Sequence, residues 1–557
     1  MRAREQKART DKLGWLSLPA FLLLFVLFLV PLAFTLSKAF TMEEGRTMFF
    51  SLFRDSYTLH VLSFTLYQAF LSTLASLAVG LPGAYLMTKY KFPGKSLVRA
   101  VSTVPFVLPS ILVVLGFVIF YGNNGILNRI LMAVFRLKEP PLHILYSLGA
   151  IILAHAFYNF PVIMNLVSTT WSQMDYHPEQ AALTLGATRG KVFRTITLPR
   201  LLPSILSAST LVFLFCYNSF AIILVLGGGP QYTTMETEIY RRARISLDPS
   251  RAAAIALLSL LVTLVLLVCY VLLQKKLSHQ EPFTDKPWYQ KKPEKGISRI
   301  LIILYCVLAV LFVLGPIVSV IVRSFSASST RAGASSFSLK WYRQLFGWER
   351  GTGNMSQAWN ALRHSLSIAL IVSLATIPTS LSLSTAMRKK GWLSVLLEVV
   401  GMLPLAVSSV VIGLGYYLIA HAFHGGGYLL VVLAHLVIVI PFALRSVLPA
   451  CRNIPENYLA AAHTLGAGPL RTFLTIEVPL LKNTLLTGMM FSFALSLGEL
   501  NATMTLGDSS ITTIPLVMYQ LIGSYNFQGA CALGTVLILV SLIVFLCDEW
   551  MKGKENG

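Results

Sequence analysis

Long apolar runs recur along the whole chain, and short polar stretches separate them. Each run is long enough to cross a bilayer as a helix, which takes about 20 residues. Because backbone groups in lipid must pair within their own segment, we expect these runs to be α-helices. The pattern predicts twelve spans, at about residues 14–40, 58–88, 98–121, 142–170, 202–227, 252–274, 298–324, 360–387, 393–421, 428–450, 484–506 and 530–550.

Two polar loops within this apolar pattern repeat each other. Residues 181–199 correspond to residues 461–479 at a constant offset of 280. Further upstream the offset is 299, as in the pair Gly116 and Gly415. The first half therefore has 19 additional residues, around 123–141, between its third and fourth runs.

Six runs in each half predict an all-α, polytopic membrane protein of about twelve transmembrane helices, built as two fused six-helix repeats. An even number of spans gives both repeats the same membrane orientation. We expect the first repeat at residues 1–275, with its polar loop at about 175–200. The second repeat is expected at 298–557, with its loop at about 455–480, and residues 276–297 form a polar linker on the cytoplasmic side.

Composition and charge agree with a membrane protein. The chain is 55% hydrophobic and only 12% charged, whereas a soluble domain has about 25% charged residues. The formal net charge of +22 does not indicate a nucleic-acid partner, because Lys and Arg concentrate in loops between spans, next to membrane lipid. With both termini in the cytoplasm, the basic clusters follow the positive-inside rule of inner-membrane proteins. These clusters are Arg2, Arg4, Lys7, Arg9 and Lys12, then Lys89, Lys91, Lys95 and Arg99, the linker lysines, and Arg388, Lys389 and Lys390.

Each repeated loop is predicted to form a short helix, a break at glycine and a second helix. Gly186 and Gly466 suit a break with positive φ, and Pro199 and Pro479 are expected to end the second helix before the next span. Small residues at the start of the loop permit close approach by another surface. A re-entry turn that only packs against the membrane is the simpler alternative.

At these residues the chain resembles the membrane permease subunits of ATP-binding-cassette (ABC) importers. The shared signature is Glu179 with the alanines that follow, then Gly186, then Ile196-Thr197-Leu198-Pro199. The resemblance implies that each loop is a coupling helix seated in a cleft of an ATPase subunit. The coupling residues that it implies are Glu179, Ala181, Ala182, Gly186, Ala187, Ala461, Ala462, Gly466 and Ala467. In the second copy Leu459 replaces the glutamate, which leaves open whether both loops grip equally.

The resemblance also implies partners and a substrate class. Two copies of an ABC ATPase subunit would carry ATP and Mg, and an extracytoplasmic substrate-binding protein would deliver the solute. Strings such as Leu226–Gln231 and Leu495–Glu499 are similar to fused thiamine-importer permeases, and fused ferric-iron permeases share part of them. A small cationic solute moving into the cytoplasm is therefore implied, with thiamine favoured and ferric iron as the alternative.

The chain has no evident catalytic chemistry of its own. The nearest match to a P-loop, Gly94-Lys95-Ser96, has Lys89 where the leading glycine belongs. The six cysteines are scattered without metal-ligand spacing. We therefore expect a transport subunit and not an enzyme, with no catalytic residue, no metal site and no cofactor bound by this chain.

Polar residues within the fifth and eleventh runs are candidates for a translocation path. A carboxylate inside a span, such as Glu499, is a functional hypothesis by default, because burying a charge in lipid is costly. It would attract a cation, or it is an acid hydrogen-bonded to a neighbouring helix. The candidates are Glu499, Asn501, Tyr217, Asn218 and Ser219. The repeated pair His155 and His435 predicts hydrogen bonds between helices.

Two other classes of protein also fit some of these features. An ion-gradient-driven secondary transporter also uses repeated halves. A membrane-embedded enzyme or scaffold is disfavoured, because the loops hold no paired carboxylates and no nucleophile with a base.

Overall fold

A computed structural model describes residues 14–40, 42–43, 46–277, 296–327, 337–388, 392–423, 425–507 and 511–553. The N-terminal basic cluster, residues 278–295 of the linker, Lys389 and Lys390 lie outside these ranges. Within them the regular structure is helical apart from a hairpin of two two-residue strands, Met42–Glu43 with Arg46–Thr47, and an isolated β-bridge between Ser326 and Phe337. The predicted all-α class is confirmed.

The helices of the first half follow the predicted order. They cover Gly14–Ala39, Met48–Ser51, Leu52–Arg54 (3-10), Ser56–Lys89, Lys95–Val107, Ser110–Tyr121, Ile126–Phe135, Leu148–Gln173, His177–Thr184, Arg189–Val192, Phe193–Thr197 (π), Leu198–Tyr217, Ala221–Leu226, Pro230–Tyr232 (3-10), Met235–Tyr240, Arg241–Ile245 (π) and Pro249–Leu277. Those of the second half cover Ile297–Ser324, Lys340–Leu345, Gly353–Gln357 (3-10), Ala358–Met387, Trp392–Met402, Leu403–Leu405 (3-10), Ser409–Phe423, Tyr428–Arg452, Glu456–Thr464, Pro469–Thr472, Phe473–Glu477 (π), Val478–Gly498, Asn501–Leu506, Ile514–Gly523 and Phe527–Gly553.

By length and composition, the described residues hold about the predicted number of membrane-spanning helices. In the described part of the chain eleven helices are long and apolar enough, or twelve if the bent pair Ser394–Leu405 and Ser409–Phe423 counts as one. The third and ninth predicted spans are each broken into two helices. The third ends at Val107 and restarts at Ser110, after Pro109, which lacks an N–H to continue the helix. The ninth turns by 90°.

The described chain divides into two compact units. One contains Met1–Arg54, Glu238–Leu260 and Ser324–Gly557, and the other contains Asp55–Thr237 and Leu261–Arg323. Each unit thus holds the first span of one predicted repeat with later spans of the other. The bounds of the repeats themselves stay a prediction.

Close backbone contacts fix these exchanged spans. In the first-named unit the Tyr416 hydroxyl donates to the Leu27 carbonyl oxygen at 2.8 Å, and Gly415 packs so tightly on Pro31 that a Cβ would lie 2.5 Å from its oxygen. In the other unit the Tyr305 hydroxyl donates to a carbonyl of the second span at 3.1 Å. There Gly116 lies against the seventh span in the same way. The repeated glycines at offset 299 therefore have a packing reason.

Candidate functional site

The first repeated loop is a helix that ends in a Schellman turn. The helix covers His177–Thr184, and Gly186 follows with a φ of +88°. The Gly186 and Ala187 N–H groups donate to the carbonyl oxygens of Leu183 and Ala182, each at 3.0 Å. Glycine adopts this φ without strain. The predicted break at Gly186 is confirmed.

The second repeated loop has the same backbone. Its first helix covers Glu456–Thr464, Gly466 has a φ of +82°, and the Ala467 N–H donates to the Ala462 carbonyl at 3.0 Å. A second short helix begins at Pro469, where proline's missing N–H is not needed. The predicted break at Gly466 is confirmed as well.

The second helix of each loop runs into the next span without a stop. In both copies a π-helical turn, Phe193–Thr197 or Phe473–Glu477, joins the short helix to the span. The prediction that Pro199 and Pro479 end the helix is therefore wrong. The physical reason is that the π-helical turn directly before each proline is a local adjustment that re-satisfies the backbone groups freed by the missing N–H.

A leucine forms the apolar tip of each loop. Leu185 and Leu465, directly before the glycines, are each 87% exposed. The alanines mostly support the turn behind them: Ala181 and Ala461 are exposed, Ala182, Ala187 and Ala467 are half-buried, and Ala462 is buried. Sequence reasoning missed the leucines, although their identical place in the two copies was a visible signal.

Glu179 links the first loop to two other segments. Its side chain is only 12% exposed, and Oε2 lies 2.9 Å from Nζ of Lys89, the last residue of the second span, Ser56–Lys89. Its Oε1 accepts a hydrogen bond from Thr197 Oγ1 at 2.5 Å. Lys89 Nζ also lies 5.5 Å from the ring centroid of Trp171 on the fourth span. The acid therefore fastens the loop to the end of the second span.

The second loop has its acid at a different position. Leu459, in the place of Glu179, is buried. Glu477, in the place of Thr197, has a side chain 6% exposed, and its Oε2 lies 3.2 Å from Arg388 Nη1, just after the eighth span, Ala358–Met387. Glu477 was not among the predicted site residues.

The translocation candidates lie at breaks in the fifth and eleventh spans. The fifth span ends at Tyr217 and restarts at Ala221, and the eleventh ends at Gly498 and restarts at Asn501. The spans predicted over 202–227 and 484–506 are therefore each interrupted once. The restart positions correspond at the offset of 280, so the break is a repeated feature.

Polar groups hold the break of the eleventh span. Glu499 has an extended backbone (φ −73°, ψ 117°), and its Oε1 accepts from the Ala502 N–H at 3.0 Å. This contact caps the restarted helix. Asn501 Nδ2 donates to Ser409 Oγ at 2.9 Å. On the tenth span, His435 bonds to both sides of the break, at 2.9 Å to Ser496 Oγ and 2.9 Å to Thr503 Oγ1.

The break of the fifth span is held from the second span. Gln68 Nε2 donates to the Cys216 carbonyl at 2.9 Å, and Ser72 Oγ lies 2.9 Å from His155 Nδ1 on the fourth span. Both histidines thus make the predicted hydrogen bonds between helices. Tyr217 is buried in the hydrophobic core of this unit, whereas Asn218 and Ser219 are half-buried, as are Glu499 and Asn501 in the other unit.

In each half, a helix further along the chain from the break donates its first N–H to a hydroxyl of the second or eighth span. The Met235 N–H donates to Thr65 Oγ1 at 3.0 Å, and the Ile514 N–H donates to Ser365 Oγ at 2.8 Å. The two halves therefore share this contact, although one uses threonine and the other serine.

Charged residues after the first of these helices are paired internally. Glu238 is 1% exposed and accepts from Arg241 and Arg242 at 2.8 and 2.7 Å. Arg244 Nη2 donates to the Gly507 carbonyl at 2.9 Å. Burial raises the pKa of Tyr240, with a further upward contribution from Tyr519 and an opposing one from Arg244.

Over the residues that the structure describes, no group of three or more His, Cys, Asp or Glu could hold a metal ion.

Residues 76–279 and 376–552 each match the family model described as "Binding-protein-dependent transport system inner membrane component". The two matches cover more than half of the chain, so the chain belongs to this family of ABC permeases and carries its domain twice. The predicted resemblance is confirmed.

Curated relatives narrow the comparison further. The chain is 29% identical over 502 residues to the thiamine transport system permease protein ThiP of Haemophilus influenzae, covering 88% of each chain. It is 29% identical over 516 residues to ThiP of Escherichia coli K12, covering 91% of each chain. A putative 2-aminoethylphosphonate transport system permease protein, PhnU of Salmonella typhimurium, is 31% identical over 259 residues, 46% of this chain and 90% of the relative. The chain is therefore a fused two-repeat permease near the thiamine group.

Proposed function

We propose that this chain is the transmembrane subunit of an ATP-driven importer that moves thiamine into the cytoplasm. An extracytoplasmic binding protein delivers the solute, and two copies of an ATPase subunit bind ATP and Mg. The chain itself lies in the inner membrane with both termini in the cytoplasm. The observation that carries this proposal is the similarity to thiamine permeases over 88–91% of both chains.

The two repeated loops are the proposed docking sites for the ATPase subunits. Their Schellman turns present one exposed leucine each, and burying a leucine side chain in a pocket of a partner is worth about 1.5–3 kcal/mol, because it removes apolar surface from water. Behind the tips, the turn and its supports set the position of that anchor. The proposed coupling residues are Glu179, Ala181, Ala182, Gly186, Ala187, Ala461, Ala462, Gly466 and Ala467, with Leu185 and Leu465 added.

The residues at each helix break are proposed to contribute to the translocation path. Irregular backbone at membrane depth occurs where it is buried in protein or lines a cavity, and broken helices often mark substrate sites in transporters. The half-buried carboxylate of Glu499 would attract a cation such as thiamine. Polar contacts would also come from Asn218, Ser219 and Asn501. Tyr217 would support the backbone at the break of the fifth span.

Reconstituted vesicles containing the permease, its ATPase and its binding protein test this function. We expect ATP hydrolysis and inward transport to rise with thiamine-loaded binding protein and not with ferric iron. Stimulation by iron alone would overturn the proposal that thiamine is the substrate, but the proposal of an ATP-driven importer would stand. Uptake that continues without ATP and without the ATPase subunit would overturn the importer in favour of a secondary transporter.

A further inference from the structure

We propose that the buried acid of each loop is a positioning residue that fixes the coupling loop to the second or eighth span. In the second half the link is kept, because the acid stands at the position that corresponds to Thr197 and not at the position that corresponds to Glu179. The inference rests on the proposed coupling role of the loops and deepens it, because it assigns a role to Glu477 and an ion pair of the same kind to both loops.

In the first loop the acid lies on the helix before the glycine. Glu179 reaches Lys89 Nζ at 2.9 Å with one oxygen and accepts from Thr197 Oγ1 with the other. The π-helical turn thus supplies the hydroxyl, and the second span supplies the cation. Positions 179 and 197 are therefore directly opposed.

In the second loop the acid lies on the π-helical turn. Glu477 occupies the position that corresponds to Thr197, and Leu459 occupies the position of Glu179. Both are buried. The cation still comes from the end of the corresponding span, because Arg388 Nη1 lies 3.2 Å from Glu477 Oε2. The link is thus retained although the glutamate of the signature is absent.

A buried ion pair suits positioning more than stability. Taking two charges out of water offsets most of their attraction, but removing one partner leaves a costly unpaired charge. The pair therefore contributes mainly a fixed geometry at the point where the loop meets the span. An arginine or lysine at the end of a helix also interacts favourably with its last carbonyls.

The far end of the same two spans carries a second repeated contact. Thr65 and Ser365 accept the first N–H of the helices that begin at Met235 and Ile514, beyond the broken spans. The second and eighth spans are therefore attached at one end to a coupling loop and at the other to the helix after the break. A shift of either loop reaches that helix through one continuous span.

Transposing the acid tests the proposal. In the reconstituted importer, Glu477→Thr removes the link, and Glu477→Thr with Leu459→Glu rebuilds it in the arrangement of the first loop. The reciprocal pair is Glu179→Leu, and Glu179→Leu with Thr197→Glu. We expect each single variant to keep the ATPase bound but to lower thiamine uptake per ATP hydrolysed by about tenfold, a typical coupling effect. Each double variant should restore the ratio to within about twofold.

Normal coupling in both single variants, or double variants no better coupled than the single ones, would overturn the proposal. Restored thermal stability without restored coupling would also overturn it, because the acid would then be structural only. If the single variants do not fold, the exchange Lys89→Glu with Glu179→Lys gives the decision: normal coupling supports the link, and a folded but uncoupled protein contradicts it. Failure of the unmodified permease to bind its ATPase would instead refute the proposed function.

Discussion

The two repeated loops share a backbone but differ in where their charge lies. Gly186 and Gly466 close the same turn, and Leu185 and Leu465 are equally exposed at its tip. The buried acid, however, is on the helix before the turn in the first loop and on the π-helical turn in the second. The comparison teaches that the fold keeps the location of an ion pair even where the sequence motif is lost. A missing signature glutamate is then poor grounds for calling a loop degenerate.

The leucine tips allow the strongest test of this equivalence. Replacing both with aspartate is expected to lower uptake by more than about 100-fold, because the burial of two leucine side chains, worth about 2 kcal/mol each, is lost. The two single variants, Leu185→Asp and Leu465→Asp, should lower uptake by equal factors. Uptake in vesicles measures the effect, and Thr195→Asp with Thr475→Asp is the matched control, since it adds the same charges to exposed positions of the same loops. A large loss in only one single variant would break the equivalence.

The glycines provide a test of the shared backbone. Gly186→Ala and Gly466→Ala are each expected to cost about 1–2 kcal/mol of local strain, and thus to reduce coupling roughly tenfold. An added Cβ would meet nothing within 4 Å at either position, so strain at positive φ is the cause. Gly186→Asp or Gly466→Asp adds a charge at the proposed docking surface and should abolish transport in a folded permease. Unchanged coupling in either alanine variant would show that its turn is not required.

Glutamine in place of the two acids sharpens the difference between the loops. Glu179→Gln loses the charge toward Lys89 but keeps an oxygen for Thr197 Oγ1, so we expect coupling to fall about threefold. In the second loop Leu459 offers no such contact, so Glu477→Gln is expected to reduce coupling about tenfold, since breaking a buried pair costs a few kcal/mol. Uptake per ATP hydrolysed measures both. The opposite order would contradict the transposed arrangement.

The hydroxyls at the far end of the spans should give the smallest effect. Thr65→Val and Ser365→Ala each remove one acceptor for a helix N–H, which costs about 1 kcal/mol. We expect a fall in thermal stability of a few degrees and a decrease in coupling of about threefold, equal in the two halves. Ser367→Ala on the eighth span is the control, because it removes a hydroxyl away from the break. The Ser367 hydroxyl donates to the Arg363 carbonyl oxygen and accepts from the Tyr428 hydroxyl.

Sequence patterns predicted most of the fold and part of the site. Apolar length alone predicts the spans, and a glycine at the same place in two copies predicts the positive-φ turn, because few residues tolerate that backbone. The breaks at Asn218 and Glu499 were missed, since the flanking residues are apolar enough to continue a helix. They depend on tertiary hydrogen bonds such as those of His435.

The transposed acid was missed for a related reason. Alignment of the two repeats at the offset of 280 places Leu459 opposite Glu179, so the acid is absent from that position in the second copy. The ion pair depends instead on which side chains are close in space. Only the fold brings Glu477 to Arg388, 89 positions away in the sequence. The exchange of first spans between the compact units was likewise invisible, because apolar helices carry little information about which partner they choose.

Site-specific cross-linking at the two loop tips tests the central claim most directly. Leu185→Cys and Leu465→Cys are introduced separately, with the exposed Cys269 and Cys547 replaced by serine, and each protein is cross-linked to the purified ATPase subunit. The account predicts that either cysteine captures an ATPase subunit, and that the protein with both captures two. Capture at Leu185 with none at Leu465 would contradict the equivalence of the two loops.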